Sequence, residues 1–196
     1  IMYQQFIHTK PEVKEVATDI LAVEFWKPEF CEYVIEAAEN IGGFESHPSD
    51  PVPGSELRIN KISEDLYTSY CRHWKYILQP ILEDYYQLPS EQWFFGWKVP
   101  FIIKYTMNGQ RNLRKHFDGS LITGSVKLND KYRGAELVFP RQKFSNKNVP
   151  IGWILLWPSS IQHLHFCDDL IEGTKYSLTC WTKQDIKEQG INYKDV

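Results

Sequence analysis

Arg114-Lys-His116-Phe-Asp118-Gly-Ser120 sets an imidazole and a carboxylate two residues apart. On extended backbone, positions two apart share a face, so an HxD pair turns two metal-binding groups toward one point. A third donor is on offer in Ser160-Ile-Gln-His163-Leu-His165-Phe166, from either histidine. Two histidines and one carboxylate on one face of an octahedron leave three positions open. Non-haem Fe(II) oxygenases use that arrangement to take a bidentate cosubstrate and dioxygen. Zinc competes for such donors, but it settles into tetrahedral sites with a single open position. The HxD alone is not specific, since the same letters also make a surface turn.

The order of the parts sharpens the reading. Lys175 follows His165 at ten residues, and Ser177 follows it at two, in Glu-Gly-Thr-Lys-Tyr-Ser-Leu-Thr-Cys-Trp. On a strand Lys175 and Ser177 share a face, which brings together a cation and a hydroxyl able to hold a carboxylate. Tyr105, eleven residues before His116, would bring a phenol to the same anion. A metal triad and a carboxylate anchor on the strands of one barrel make a coherent site.

These residues need a scaffold of short strands, and the chain has the texture for one. Phe101–Met107 is rich in β-branched and aromatic residues and reads as a strand. Five further runs follow, at 121–129, 135–139, 151–158, 160–166 and 175–182, divided by turns. Upstream, residues 17–26 read as a strand behind a polar lead-in. A helix over 28–40 carries Phe30, Val34, Ala37, Ala38 and Ile41 on one stripe and stops at Gly42-Gly43. A proline-rich loop spans 45–55. A second helix, over 64–86, sets Leu66, Tyr70, Trp74, Ile77, Leu78, Ile81 and Tyr85 at core spacing, with a kink expected at Pro80. Helices followed by short strands predict a mainly β, α+β fold: a double-stranded β-helix, or jelly roll, with helices packed outside. We read 1–196 as one domain, with a helical support region over 1–95 and the jelly-roll core over 96–185.

Composition fits this and excludes other classes. Aromatic residues are 15% of the 196, enough to fill a sandwich or barrel with large inward-facing side chains. The formal net charge of -3 argues against a general nucleic-acid surface. No apolar run approaches a membrane span, and the opening residues lack a basic start followed by an apolar stretch, so we expect a soluble chain, cut from a longer one. The four cysteines, Cys31, Cys71, Cys167 and Cys180, show no metal-binding spacing and decide nothing about redox compartment.

Two long segments carry a family resemblance. FIIKYTMNGQRNLRKHFDGSLITGSVKLNDKYRGAELVFP and VPIGWILLWPSSIQHLHFCDDLIEGTKYSLTCW resemble the 2-oxoglutarate- and Fe(II)-dependent dioxygenases. More narrowly, they resemble the C-terminal catalytic domain of the collagen lysyl hydroxylases. The features concerned are the Tyr-Thr strand, the Gln-x-x-Leu-Arg lead into HxD, the Gly-Trp strand, Pro158 and the His-x-His. The resemblance implies His116, Asp118 and His165 as iron ligands, His165 being preferred to His163 for its interval to the basic residue. It implies Lys175 on the distal carboxylate of 2-oxoglutarate, assisted by Tyr105 and Ser177. It further implies dioxygen as cosubstrate, ascorbate as reductant, a Gly-X-Lys collagen-like peptide hydroxylated at lysine C5, and the endoplasmic reticulum lumen. A homodimer agrees with it as well.

The chain also departs from the lysyl pattern. Lysyl hydroxylases have Arg where Lys175 stands, and Lys is the prolyl hydroxylases' choice. Phe166 and Cys167 replace an acidic residue and a glycine, and Arg133–Pro140 resembles the prolyl pattern GGExxFP. Prolyl peptide hydroxylation and small-molecule hydroxylation are therefore the competing activities. A binding module on a decayed barrel would be expected to lose a ligand or the basic anchor. A storage-type or isomerase jelly roll would cluster its histidines more closely. For a lysyl substrate, Asp168, Asp169 and Glu136 are candidates to meet the ammonium. Trp153, Trp157 and Trp181 read as barrel walls or plain core.

Overall fold

The computed structural model describes residues 3–90 and 92–196. Val13–Ala17 (β1) and Ile20–Glu24 (β2) pair antiparallel around a turn in which Asp19 takes φ 58°. The strand expected over 17–26 is thus one arm of a hairpin. Its partner β1 escapes a hydrophobic reading because it is a sheet edge whose Val13-Lys14-Glu15 lie exposed.

Helix α1, Pro28–Ile41, starts with Pro at its first turn, buries Phe30, Cys31, Val34 and Ala38, and stops at Gly42, φ 68°. Ile41, expected on that stripe, is half exposed. A short strand, Glu56–Arg58 (β3), closes the proline-rich loop. Helix α2, Glu64–His73, is capped by Ser63, whose Oγ accepts the Leu66 N–H at 3.3 Å. A π-helical segment, Trp74–Leu78, joins it to α3, Gln79–Tyr86. Next to Pro80, where a kink is expected, the helix widens into this π turn, which accommodates the N–H that Pro80 lacks.

The remaining strands are Gly96–Trp97 (β4), Phe101–Thr106 (β5), Leu113–His116 (β6), Ile122–Lys127 (β7), Tyr132–Gly134 (β8), Leu137–Phe139 (β9), Phe144–Ser145 (β10), Trp153–Pro158 (β11), His165–Cys167 (β12), Leu170–Trp181 (β13) and Ile191–Asn192 (β14). The major sheet runs β1-β2-β11-β7-β13-β5-β3, with β8 joined to β13. The minor sheet runs β10-β9-β12-β6, and β14 pairs with β4. This is a mostly β jelly-roll core with helices outside. The first 95 residues do more than support it, since β1, β2 and β3 are strands of the major sheet.

Register places the site. Thr179, Ser177 and Lys175 pair with Phe101, Ile103 and Tyr105, so these residues line one face of the major sheet. The alternate residues Ile102, Leu178, Val126, Ile154 and Val23 form the opposite face, packed in one core with Phe30, Val34, Tyr70 and Trp74 of the helices. The first face looks toward the minor sheet, and the cavity lies between them. Among the described residues no helix is long and apolar enough to cross a membrane.

Candidate metal and anion site

His116 ends β6 and pairs across the minor sheet with His165, the first residue of β12. Asp118 lies beyond the strand, so its approach depends on the loop and not on strand alternation alone. Ser120 pins that loop: its hydroxyl donates to the Ile122 carbonyl at 2.7 Å and lies 3.0 Å from Thr182 Oγ1. Thr123 on β7 donates to Asp118 Oδ2 at 2.9 Å. One donor atom each from His116, Asp118 and His165 lie within 4.8 Å of one another.

The donor chemistry fits a divalent metal. His116 Nδ1 lies 2.6 Å from the Arg114 carbonyl, and His165 Nδ1 lies 2.9 Å from the His163 carbonyl. A carbonyl only accepts, so each Nδ1 carries the proton, and in the neutral ring Nε2 presents its lone pair. Those lone pairs stand 3.5 and 3.4 Å from the two Asp118 oxygens. With neutral rings, two Nε2 lone pairs and a carboxylate face one another, a set that takes up a cation, either a metal ion or a proton on His116. Two nitrogens, one carboxylate and open positions suit Fe(II).

The protein's own charges already respond to this crowding. Burial works to raise the Asp118 pKa, but hydrogen bonds from His116 and Thr123 and the charges of both imidazoles hold it below its ordinary value. Burial opposes a charge on His116 too, yet the Asp118 and Arg114 contacts push its pKa up. At His165 burial prevails and lowers it. Phe139 and Trp157 wall His165 at ring-centroid distances of 5.4 and 5.1 Å.

Lys175 reaches into the same cavity from β13. It is 3% exposed, donates to the Ala135 carbonyl at 2.7 Å, touches Cys167 Sγ at 3.4 Å and lies 4.9 Å from the Tyr105 ring centre. Gly134 and Ala135, with φ 76° and 50°, form the turn that aims this carbonyl. A Cβ on Gly134 would meet the Asp169 carbonyl at 2.2 Å. Among the described residues Lys175 has no ion pair, and a buried ammonium held only by neutral partners calls for an anion. Tyr105 and Ser177 are buried beside it, the Tyr105 pKa driven well up by burial and by Cys167.

A cavity of about 280 Å³ takes in His116, Asp118, His165, Tyr105, Lys175 and Ser177 together. His163 is not there. The run expected as one strand over 160–166 is a 3-10 turn, Ile161–His163, followed by β12, and His163 Nε2 lies 3.3 Å from the Thr18 carbonyl. A one-residue linker between turn and strand sends the two histidines to different neighbours.

The acidic candidates are elsewhere too. Asp168 accepts the Glu136 N–H, Asp169 accepts from Asn112, and Glu136 accepts from Ser145, so all three are engaged in local loop bonds. Trp157 and Trp181 line the cavity; Trp153 does not and lies under Lys14 instead. Sequence reasoning missed Thr123, Cys167, Asp50 and Glu56, which all line it. Of these, only Asp50 lies in a loop that the sequence marks out, the proline-rich one.

The fold is similar to that of solved 2-oxoglutarate–Fe(II) oxygenases. The viral collagen prolyl hydroxylase of Paramecium Bursaria Chlorella virus-1, in its 2-oxoglutarate complex, superposes with a TM-score of 0.61 at 16% identity, over 87% of this chain and 99% of that one. A Pseudomonas putida prolyl-4-hydroxylase gives 0.60 at 11% identity, over 85% of this chain and 93% of the other.

By sequence the chain is similar to procollagen lysyl hydroxylases. It is 24% identical over 194 residues to the multifunctional procollagen lysine hydroxylase and glycosyltransferase of Caenorhabditis elegans, covering 89% of this chain and 25% of that protein. It is 26% identical over 188 residues to mouse procollagen-lysine,2-oxoglutarate 5-dioxygenase 2, covering 87% and 24%. The chain therefore spans about a quarter of the length of these relatives. No family model matches. The likeness carried by short motifs thus extends over most of the chain.

Proposed function

We propose that this domain is a 2-oxoglutarate- and Fe(II)-dependent hydroxylase acting on lysyl side chains of collagen-like peptides. The observation that carries the reading is one cavity lined both by a His-Asp-His set and by a buried lysine with no ion pair among the described residues.

His116, Asp118 and His165 would hold Fe(II), and Lys175 would hold the far carboxylate of 2-oxoglutarate, with Tyr105 and Ser177 beside it. Bound together, these groups supply dioxygen activation, coupling oxidative decarboxylation of 2-oxoglutarate to C–H hydroxylation. The chain supplies position. The Arg114 and His163 carbonyls fix the ring tautomers, Thr123 orients Asp118, and Phe139 and Trp157 keep water from His165. Asp50, Pro51 and Val52 of the proline-rich loop line the cavity, where an extended peptide would lie.

Lysine is favoured as substrate by the sequence similarity to lysyl hydroxylases. Proline is the second reading, favoured by Lys175 itself, by the Arg133–Pro140 pattern and by the named activity of the structural neighbours. Turnover of 2-oxoglutarate over a panel of lysine-rich and proline-rich collagen-like peptides separates the two. Stimulation by the lysine set supports the proposal, and stimulation by the proline set alone replaces it.

A further inference from the structure

Two carboxylates in the cavity have no part in the chemistry above, Asp50 and Glu56. Glu56 opens β3 in register with Ile103, which pairs in turn with Ser177. Its side chain therefore shares the inner face with Tyr105, Lys175 and Ser177. It is half buried, and among the described residues it makes no side-chain hydrogen bond or ion pair.

Its neighbours are otherwise occupied. Asp50 accepts the Val52 N–H at 2.8 Å, and the Arg58 guanidinium reaches Gln189 Oε1 at 3.4 Å. Lys175 is 3% exposed and donates to Ala135, whereas Glu56 is only half buried. The cavity thus presents a buried cation and, on the same sheet face, a less buried carboxylate with no hydrogen-bond partner among the described residues. Burial and the Asp50 charge, partly offset by Arg58, push the Glu56 carboxyl up to about 7. A group in that state gains most from an arriving cation.

We propose that Glu56 receives the ammonium of the substrate lysine and so selects lysine over neutral side chains. The inference rests on the lysyl reading above and adds the residue that enforces it. One methylene separates lysine C5 from its nitrogen, so an ammonium held at the cavity wall also limits where C5 can lie. A prolyl ring would leave Glu56 desolvated and unpaired, and that penalty acts against the wrong substrate.

The test compares a Gly-X-Lys peptide with the same peptide carrying norleucine, which keeps the chain and loses the charge. Both kcat/KM and peptide affinity without dioxygen are measured for the Fe(II)- and 2-oxoglutarate-loaded wild type and for Glu56→Gln. Wild type is expected to favour lysine by about tenfold or more, and Glu56→Gln to bring the ratio close to unity. A wild-type lysine preference that survives in Glu56→Gln overturns the role of Glu56 and leaves the lysyl reading standing. If damage to the fold is the only effect, both peptides weaken together and the ratio holds, which is the same negative result. A wild type that hydroxylates proline and shows no preference for lysine removes the lysyl reading and this inference with it.

Discussion

His116 and His165 face each other across the β6–β12 pair with ring centroids 4.4 Å apart, and each has its Nδ1 against the carbonyl two residues upstream. The repeated contact sets both Nε2 atoms toward Asp118 before any ion arrives. Metal binding then needs little reorganisation of the rings.

His116→Ala, Asp118→Ala and His165→Ala are each expected to abolish tight Fe(II) binding, while His163→Ala, which removes a ring facing Thr18, keeps it. Thr123→Val should weaken affinity by about tenfold, as loss of an outer hydrogen bond to a ligand does. Equilibrium titration with Fe(II) under anaerobic conditions reads all five. Loss of binding in His163→Ala with retention in His165→Ala would reverse the assignment.

Lys175→Ala should raise the KM for 2-oxoglutarate by roughly tenfold to a hundredfold, because a charge-assisted hydrogen bond contributes about 1.5–3 kcal/mol. Fe(II) affinity measured without cosubstrate should change far less. An unchanged KM would separate Lys175 from the cosubstrate.

His73 gives the fold an acid sensitivity outside the cavity. It stacks on Phe25 at 4.1 Å with neither ring nitrogen hydrogen-bonded among the described residues, and burial, aided by the His8 charge, pushes its pKa down to about 3. The unfolded chain therefore takes up the proton first, and stability present above about pH 6.5 falls as pH drops, by about 1.4 kcal/mol per unit. Between pH 7 and pH 5 this group should cost roughly 2 kcal/mol. Urea unfolding at the two pH values should show that difference in wild type and a smaller one in His73→Phe.

Gly152, in the Gly-Trp motif, has φ 84°, and a Cβ there would lie 1.9 Å from the Trp26 carbonyl. Its own carbonyl accepts the Phe25 and Trp26 N–H groups, tying β2 to β11. Gly152→Ala should lower stability by at least about 1–3 kcal/mol, measured by denaturant unfolding. A change within 0.5 kcal/mol or so would show that the turn relaxes freely.

The sequence reveals these elements unevenly, for physical reasons. Helix α1 is legible by its helical period between Pro28 and Gly42, and strand β5 by its run of β-branched and aromatic residues. Strands β1 and β3 are not, since an edge strand with charged residues and a three-residue strand behind prolines lack the apolar alternation that marks a buried strand. In the site, HxD and Lys175 announce themselves by residue type and interval. Glu56 does not, because it reaches the cavity only through the β3–β5 register, a contact between segments far apart in the chain. Asp168 and Asp169 failed in the opposite way, being near His165 in sequence yet bonded to the loops around them.

The central claim is tested most directly by incubating the protein with Fe(II), 2-oxoglutarate, ascorbate and a collagen-like peptide carrying both Lys and Pro in the Y position. The product is then sequenced by mass spectrometry. The account predicts a gain of about 16 Da, one oxygen atom, on the lysine, with succinate formed in equal amount. The same gain on proline, or succinate formation with no gain on the peptide, would contradict it.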